Sequence, residues 1–251
     1  MKLNYTQHYI ESQNRFTKSK PKISLHKLDC MDLVDSDVEK LSNKVALFFK
    51  NKKGKLSIPY TDSIFDLNLN AIANAHVPYI ENNIFGCNLF VDKVYIYRNT
   101  RAPKAESSWL WHYDNNPKEV FKIMTYLTDV DETKAPFQYV KNHLKTPTKI
   151  GPKNWKPAPN NSRVPKEKID SSQIATVTGK AGKTFIFNPN CVHRATIPKE
   201  GFRDVLVLRV RPCFQSVASE GYVNSKWTTS WESDGAVPKD PTIMKQTKKR
   251  K

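Results

Sequence analysis

The spacing of apolar residues changes character once along the chain. Val38, Leu41, Val45, Ala46 and Phe49 recur at three- and four-residue intervals, which predicts a helix. Asp35-Ser36-Asp37 can cap its start, and Asn51-Lys52-Lys53-Gly54 ends it. A second helix is predicted from Ile64 to about Ala75, stopped before Pro78. An edge strand is expected near Ile23–Leu28. From Asn88 onward the rhythm becomes that of strands. Asn88–Arg98 (NLFVDKVYIYR) is rich in β-branched and aromatic residues. Trp109–Tyr113, Phe121–Leu127, Phe137–Val140, Ile174–Thr178, Lys183–Asn188 and Arg203–Arg211 follow, with turn residues between them. Many short strands at this spacing suggest a sandwich, barrel or jelly roll, with the earlier helices packed outside it.

Residues 141–172 interrupt the strands. Five prolines (147, 152, 157, 159 and 165) mark a long loop there. From Lys141 to Lys183 ten basic residues face two acidic ones, Glu167 and Asp170. The organisation expected is an N-terminal arm with flanking helices (1–85), a β core (86–215) and a C-terminal extension (216–251) ending in Lys248-Lys249-Arg250-Lys251, all in a single domain. The formal net charge of +17 can attract nucleic acid, anionic lipid or anionic small molecules and does not choose among them. The four cysteines form no CxxC pair, and the stretch from Met1 to Lys22 is polar. Free thiols, no secretory leader and a cytoplasmic location are the expectation. No apolar run reaches the ~20 residues of a membrane span.

His112-Tyr113-Asp114 is where chemistry enters. On a strand, residues two apart share a face, so one imidazole and one carboxylate project together. His193, after the apolar strand Thr184–Phe187 and the turn Asn188-Pro189-Asn190, is the best third ligand. Two histidines and one carboxylate on one face of an octahedral metal leave open positions, the pattern of non-haem Fe(II) sites. Ten residues further on, Arg203 opens the last strand, where a guanidinium can hold a carboxylate through two parallel bonds. Arg209 and Arg211 share its strand parity, and Arg209 is the fallback anchor. Tyr95 and Tyr97 share one face of the preceding strand, either as core aromatics or with hydroxyls turned to a bound molecule. Trp109, Trp111 and Met124 read as core or pocket wall. His143 is a rival ligand opposed by its lysine neighbours. His8, His26 and His76 have no partner nearby in sequence.

These pieces resemble the phytanoyl-CoA dioxygenase-like branch of the Fe(II)/2-oxoglutarate oxygenases. The matching segments are Trp111–Asn115, Lys122–Asp129 (KIMTYLTD), Pro136–Lys145 (PFQYVKNHLK), Gly182–Phe187 (GKTFIF), His193-Arg194 and Arg203, within about Asn88 to Pro212. The resemblance implies a double-stranded β-helix (the cupin-like jelly roll), with iron on His112, Asp114 and His193 and 2-oxoglutarate on Arg203. It implies a dioxygenase that uses O2 to hydroxylate a C–H bond and releases succinate and CO2. Lys141-Asn142-His143 and Ala195 depart from the family pattern, and Ala195 removes a hydroxyl contact to the cosubstrate. Asp114 argues against a halogenase, which frees that position for halide. A small, anionic substrate is the first expectation. An oxygenase acting on nucleic acid, a non-catalytic basic binding protein on a degenerate fold, and a metal enzyme that needs no 2-oxoglutarate rank below it.

Overall fold

A computed structural model of the chain describes residues 28–50, 57–58, 69–114, 116, 119–141 and 163–230. Two β-sheets form the body. The larger has the strand order β1 (Cys30–Asp32), β7 (Thr184–Phe187), β4 (Phe121–Tyr126), β9 (Phe202–Pro212), β3 (Leu89–Thr100), β10 (Thr229–Ser230), with β2 (Ser57–Ile58) also on β3. The smaller is β6 (Ile174–Val177), β5 (Phe137–Val140), β8 (His193–Ala195). This is the expected mainly β architecture of a double-stranded β-helix with helices outside it.

The two-residue period of the strands sorts their side chains. Val94, Ile96, Ile123, Ile186, Leu206 and Leu208 point outward and join one buried cluster with helix α1 (Glu39–Lys50) and helix α2 (Leu69–Ile80). The alternate positions, Tyr95, Tyr97, Met124, Tyr126, Phe185, Phe187, Val205 and Val207, point inward and meet Phe137 of the smaller sheet. Tyr222, Val223 and Trp227, from the region assigned to a C-terminal extension, belong to the outer cluster.

Two expectations need correction. The second helix does not stop before Pro78: α2 runs through it to Ile80 and continues as a π-helical turn, Glu81–Phe85. An interior proline costs ~3 kcal/mol. Full burial of Val77, Ile80, Ile84 and Phe85 outweighs that, at about 1.5–3 kcal/mol for each large side chain. Trp109–Tyr113 is not a strand. Ser107, at φ 49°, starts a 3₁₀ turn through Trp109, and beyond it His112 makes single bridges to His193 and Arg163. Cys30–Asp32 forms an edge strand, paired with β7, while the stretch expected to hold one, residues 23–27, lies outside the described residues. So do residues 64–68, His8, His26, His143, most of the basic loop (142–162) and the tail from 231. His76 is a core residue whose ring nitrogen bonds Ser36 Oγ at 2.8 Å. The four cysteines are unbridged. Among the described residues no helix is long and apolar enough to cross a membrane.

Candidate metal centre

The backbones of His112 and His193 exchange hydrogen bonds: His112 N–H to His193 O at 3.0 Å, and His193 N–H to His112 O at 2.8 Å. Directly opposed residues of an antiparallel pair project to the same side. The two rings lie with centroids 4.3 Å apart. Asp114, two residues on, is held by its N–H to Pro189 O at 2.8 Å. One ligand atom from each of His112, Asp114 and His193 falls within 4.8 Å of the others. His112 Nε2 stands 3.6 Å from Asp114 Oδ1.

Hydrogen bonds of each ring's other nitrogen set its orientation. His112 Nδ1 bonds Leu110 O at 2.7 Å and His193 Nδ1 bonds Cys191 O at 2.8 Å. A carbonyl only accepts, so each Nδ1 carries the proton and each Nε2 keeps a free lone pair, as a metal ligand requires. Burial lowers the pKa of His112, and it pushes His193 down to about 3. Both imidazoles are therefore neutral near pH 7. Burial pulls the Asp114 carboxyl upward, but Lys122 and the two imidazoles outweigh it and hold it well below the usual carboxylate range.

Lys122 was not singled out from the sequence. Its Nζ is 2.5 Å from Asp114 Oδ2 and 5.5 Å from the centre of the Tyr95 ring. The signal was there: Lys122 shares strand parity with the inward Met124 and Tyr126. Asp114 thus divides its oxygens, one toward His112 and the other on the ammonium.

Arg203 is fully buried at the opening of β9, on the inward side with Val205 and Val207. Its Nη1 donates to Ala135 O at 2.5 Å, while Nε and Nη2 have no hydrogen-bond partner among the described residues. Arg209 is differently engaged. It grips the fully buried Asp92 through two bonds of 2.7 and 2.6 Å, and Arg211 adds a third at 3.0 Å. Tyr95 and Tyr97 are partly buried on the inner face, opposite Val207 and Val205. Met124 joins the inner cluster, whereas buried Trp111 packs with Val140 and Val192. Ala195, which offers no hydroxyl, is buried beside Phe137. Phe137 and Phe187 flank His193, with ring centroids 5.6 and 5.4 Å away. The histidines and the inner face of β9 therefore border one aromatic-walled interior.

Comparison with known proteins agrees with this geometry. The family model described as phytanoyl-CoA dioxygenase (PhyH) matches residues 31–197. That span starts well before the resemblance seen from Asn88, includes His112, Asp114 and His193, and ends before Arg203. Several solved structures share the fold at low identity. EctD from S. alaskensis, in its apo form, is 12% identical with a TM-score of 0.55, over 76% of this chain and 78% of that one. The non-haem alpha-ketoglutarate-dependent epimerase SnoN from nogalamycin biosynthesis is 12% identical with a TM-score of 0.53, over 81% and 84%. HygX from Streptomyces hygroscopicus, with nickel and 2-oxoglutarate bound, is 13% identical with a TM-score of 0.52, over 76% and 85%. No curated protein matches the sequence. With the family model covering well over half of its length, this chain belongs to the phytanoyl-CoA dioxygenase family.

Proposed function

We propose that the protein is an Fe(II)- and 2-oxoglutarate-dependent dioxygenase that hydroxylates a C–H bond of a small, anionic substrate. The observation that carries this reading is a two-histidine, one-carboxylate group with both Nε2 lone pairs free. Arg203, with two nitrogens unpartnered among the described residues and facing the same interior, supports the cosubstrate. Neutral imidazoles and an ionised carboxylate suit a divalent iron. His112, Asp114 and His193 would hold it. Iron bound there would couple activation of O2 to oxidative decarboxylation of 2-oxoglutarate, giving succinate, CO2 and an oxygen atom for the substrate.

The chain's own residues have separable tasks. Arg203 would orient the far carboxylate of 2-oxoglutarate through its guanidinium fork. Lys122 holds Asp114 ionised and offers a cation beside the metal group. Tyr95 and Tyr97 carry hydroxyls on the inner face, in reach of a cosubstrate or substrate. The aromatic wall keeps water away from the reacting centre.

Support for an anionic substrate lies at the other end of the inner face. Lys93 and Lys122 lie opposite Arg209 on adjacent strands, β3 and β4, and with Arg211 these four cations outnumber the two carboxylates among them, Asp92 and Asp114. Arg209 is six residues along β9 from Arg203, about 20 Å at the strand rise.

Aerobic incubation with Fe(II) and 2-oxoglutarate tests the proposal. The wild type should form succinate slowly alone and faster with a small carboxylate or phosphate ester that fits, with product gaining one oxygen atom. Asp114→Ala should form none. A wild type that makes no succinate with any of them contradicts the reading. A product of unchanged mass would indicate epimerisation in place of hydroxylation.

A further inference from the structure

We propose that Arg163 anchors the anionic group of the substrate, an oxoanion held at the open side of the metal group. This rests on the reading above and names the residue that would receive the substrate's charge.

Arg163, His112, His193 and Tyr139 stand in one row across four neighbouring antiparallel segments. Opposed residues of such segments project to the same side, so the four side chains share the inner face. Spacing within the row is uneven. His112 and His193 exchange both backbone hydrogen bonds, at 3.0 and 2.8 Å, which makes them a wide pair. His112 and Arg163 are a pair of the other kind, since the bond beside them runs from Val164 N–H to Trp111 O, at 2.8 Å. Pairs of that kind bring their Cα atoms about 1 Å closer, and their side chains with them. Arg163 is thus set against His112, on the side away from His193. Burial does most to lower the His112 pKa, and the charges of Arg163 and Lys122 add to it.

The two ends of the row differ. Tyr139 is partly buried among the inner aromatics, its ring 6.2 Å from that of Phe137. Arg163 is exposed, so the row opens to solvent beside His112. From the other sheet Lys122 reaches the same group, with Nζ on Asp114 Oδ2. Two cations from two sheets therefore flank a group that carries one carboxylate and two neutral imidazoles. With a divalent iron bound that positive excess grows, and the chelating carboxylate of 2-oxoglutarate offsets part of it. An anionic group on the substrate offsets the rest. A guanidinium takes an oxoanion through two parallel bonds. Arg203 offers the same fork but is fully buried on the larger sheet, whereas Arg163 meets a molecule arriving from solvent. A substrate fixed by Arg163 lies with its uncharged part toward the metal, so the C–H bond attacked is a few bonds from the charge.

The test loads the full chain with Mn(II), which speeds the relaxation of nearby nuclei, and saturates it with 2-oxoglutarate to occupy Arg203. Inorganic phosphate and, separately, acetate are then titrated, and the relaxation of phosphorus or of the carboxyl carbon is read. In the wild type the bound probe should relax faster than with metal-free protein, and the probe with the larger effect tells phosphate from carboxylate. Arg163→Gln should lower the affinity of that probe at least about 10-fold, the effect of losing a hydrogen bond between charged groups. Arg163 is exposed, so this substitution leaves the core untouched. Arg163→Lys should recover only part, lacking the fork. Lys166→Gln removes the same charge from an exposed residue of the same segment and should match wild type. An Arg163→Gln variant that holds the probe as wild type does, or an equal loss in Lys166→Gln, would overturn the assignment. So would a wild type that relaxes neither probe, while the oxygenase reading, tested by succinate formation, would stand. If the wild type takes up no Mn(II) or no 2-oxoglutarate, that reading falls and the assignment of Arg163 with it.

Discussion

Lys122 and Asp114 form an ion pair 2.5 Å long inside the candidate metal centre, between a strand residue and a carboxylate eight positions earlier. The ammonium is the largest influence lowering the Asp114 pKa against the upward pull of burial. Protons compete with a metal for this carboxylate, so removing the cation raises the proton's share. Lys122→Met should therefore shift the acid limb of metal binding to higher pH. Metal-affinity measurements from pH 4 to 7 on both proteins check this. An unshifted limb would mean that Lys122 does not hold Asp114 ionised.

Arg203→Ala should leave metal affinity intact and weaken 2-oxoglutarate at least about 100-fold, since two charge-assisted bonds are lost together. Arg203→Lys should recover little, because a point charge lacks the planar fork. Titration of 2-oxoglutarate into the metal-loaded variants gives the answer. Unchanged affinity in Arg203→Ala would move the cosubstrate to another cation.

Asp92 is fully buried between Arg209 and Arg211. Asp92→Ala would strand two guanidinium groups, and breaking one partner from a buried pair costs about 3–5 kcal/mol. Urea unfolding should show a loss of that size with little change in slope. A loss under about 1 kcal/mol would show that water or another group compensates the arginines.

His76 supplies a pH dependence of stability. Burial lowers its pKa from the ordinary 6.5, with Asp35 partly opposing. The folded state therefore holds the ring neutral at pH values where the unfolded chain already binds a proton. Stability should be full above about pH 6.5 and fall as pH drops below it, flattening once the folded-state pKa is passed. The slope is at most about 1.4 kcal/mol per pH unit. His76→Gln should reduce that slope in denaturant titrations between pH 5 and 7. An identical slope would assign it to other groups.

The sequence made the grouping of His112, Asp114 and His193 legible because its signals are local. His112 and Asp114 are two residues apart, and His193 follows a short apolar strand and turn. Inward and outward alternation also announced the helices on one side of the sheet. What stayed hidden depends on pairing between distant segments. Asp92 sits in an apolar strand, and only the register of β3 on β9 reveals that it holds Arg209 and Arg211. Arg163 lies inside the expected loop, and only its pairing with His112 places it beside the metal group. Lys122 was read as part of a matching strand, and its inward direction went unused. Pro78 misled because proline rules describe a helix alone, whereas α2 is held by the sheet it covers. The aromatic run Trp109–Tyr113 has strand-forming residues but finds no continuous partner among the described residues, where His112 makes isolated bridges to His193 and Arg163.

The central claim is that His112, Asp114 and His193 share one iron with room left for 2-oxoglutarate. Anaerobic addition of Fe(II) and then 2-oxoglutarate tests it most directly, through the weak visible charge-transfer absorption of a chelated 2-oxo acid. The wild type should develop that band at one iron per chain, and Asp114→Ala and His193→Ala should not. A wild type that stays colourless, or an Asp114→Ala variant that develops the full band, would contradict the account.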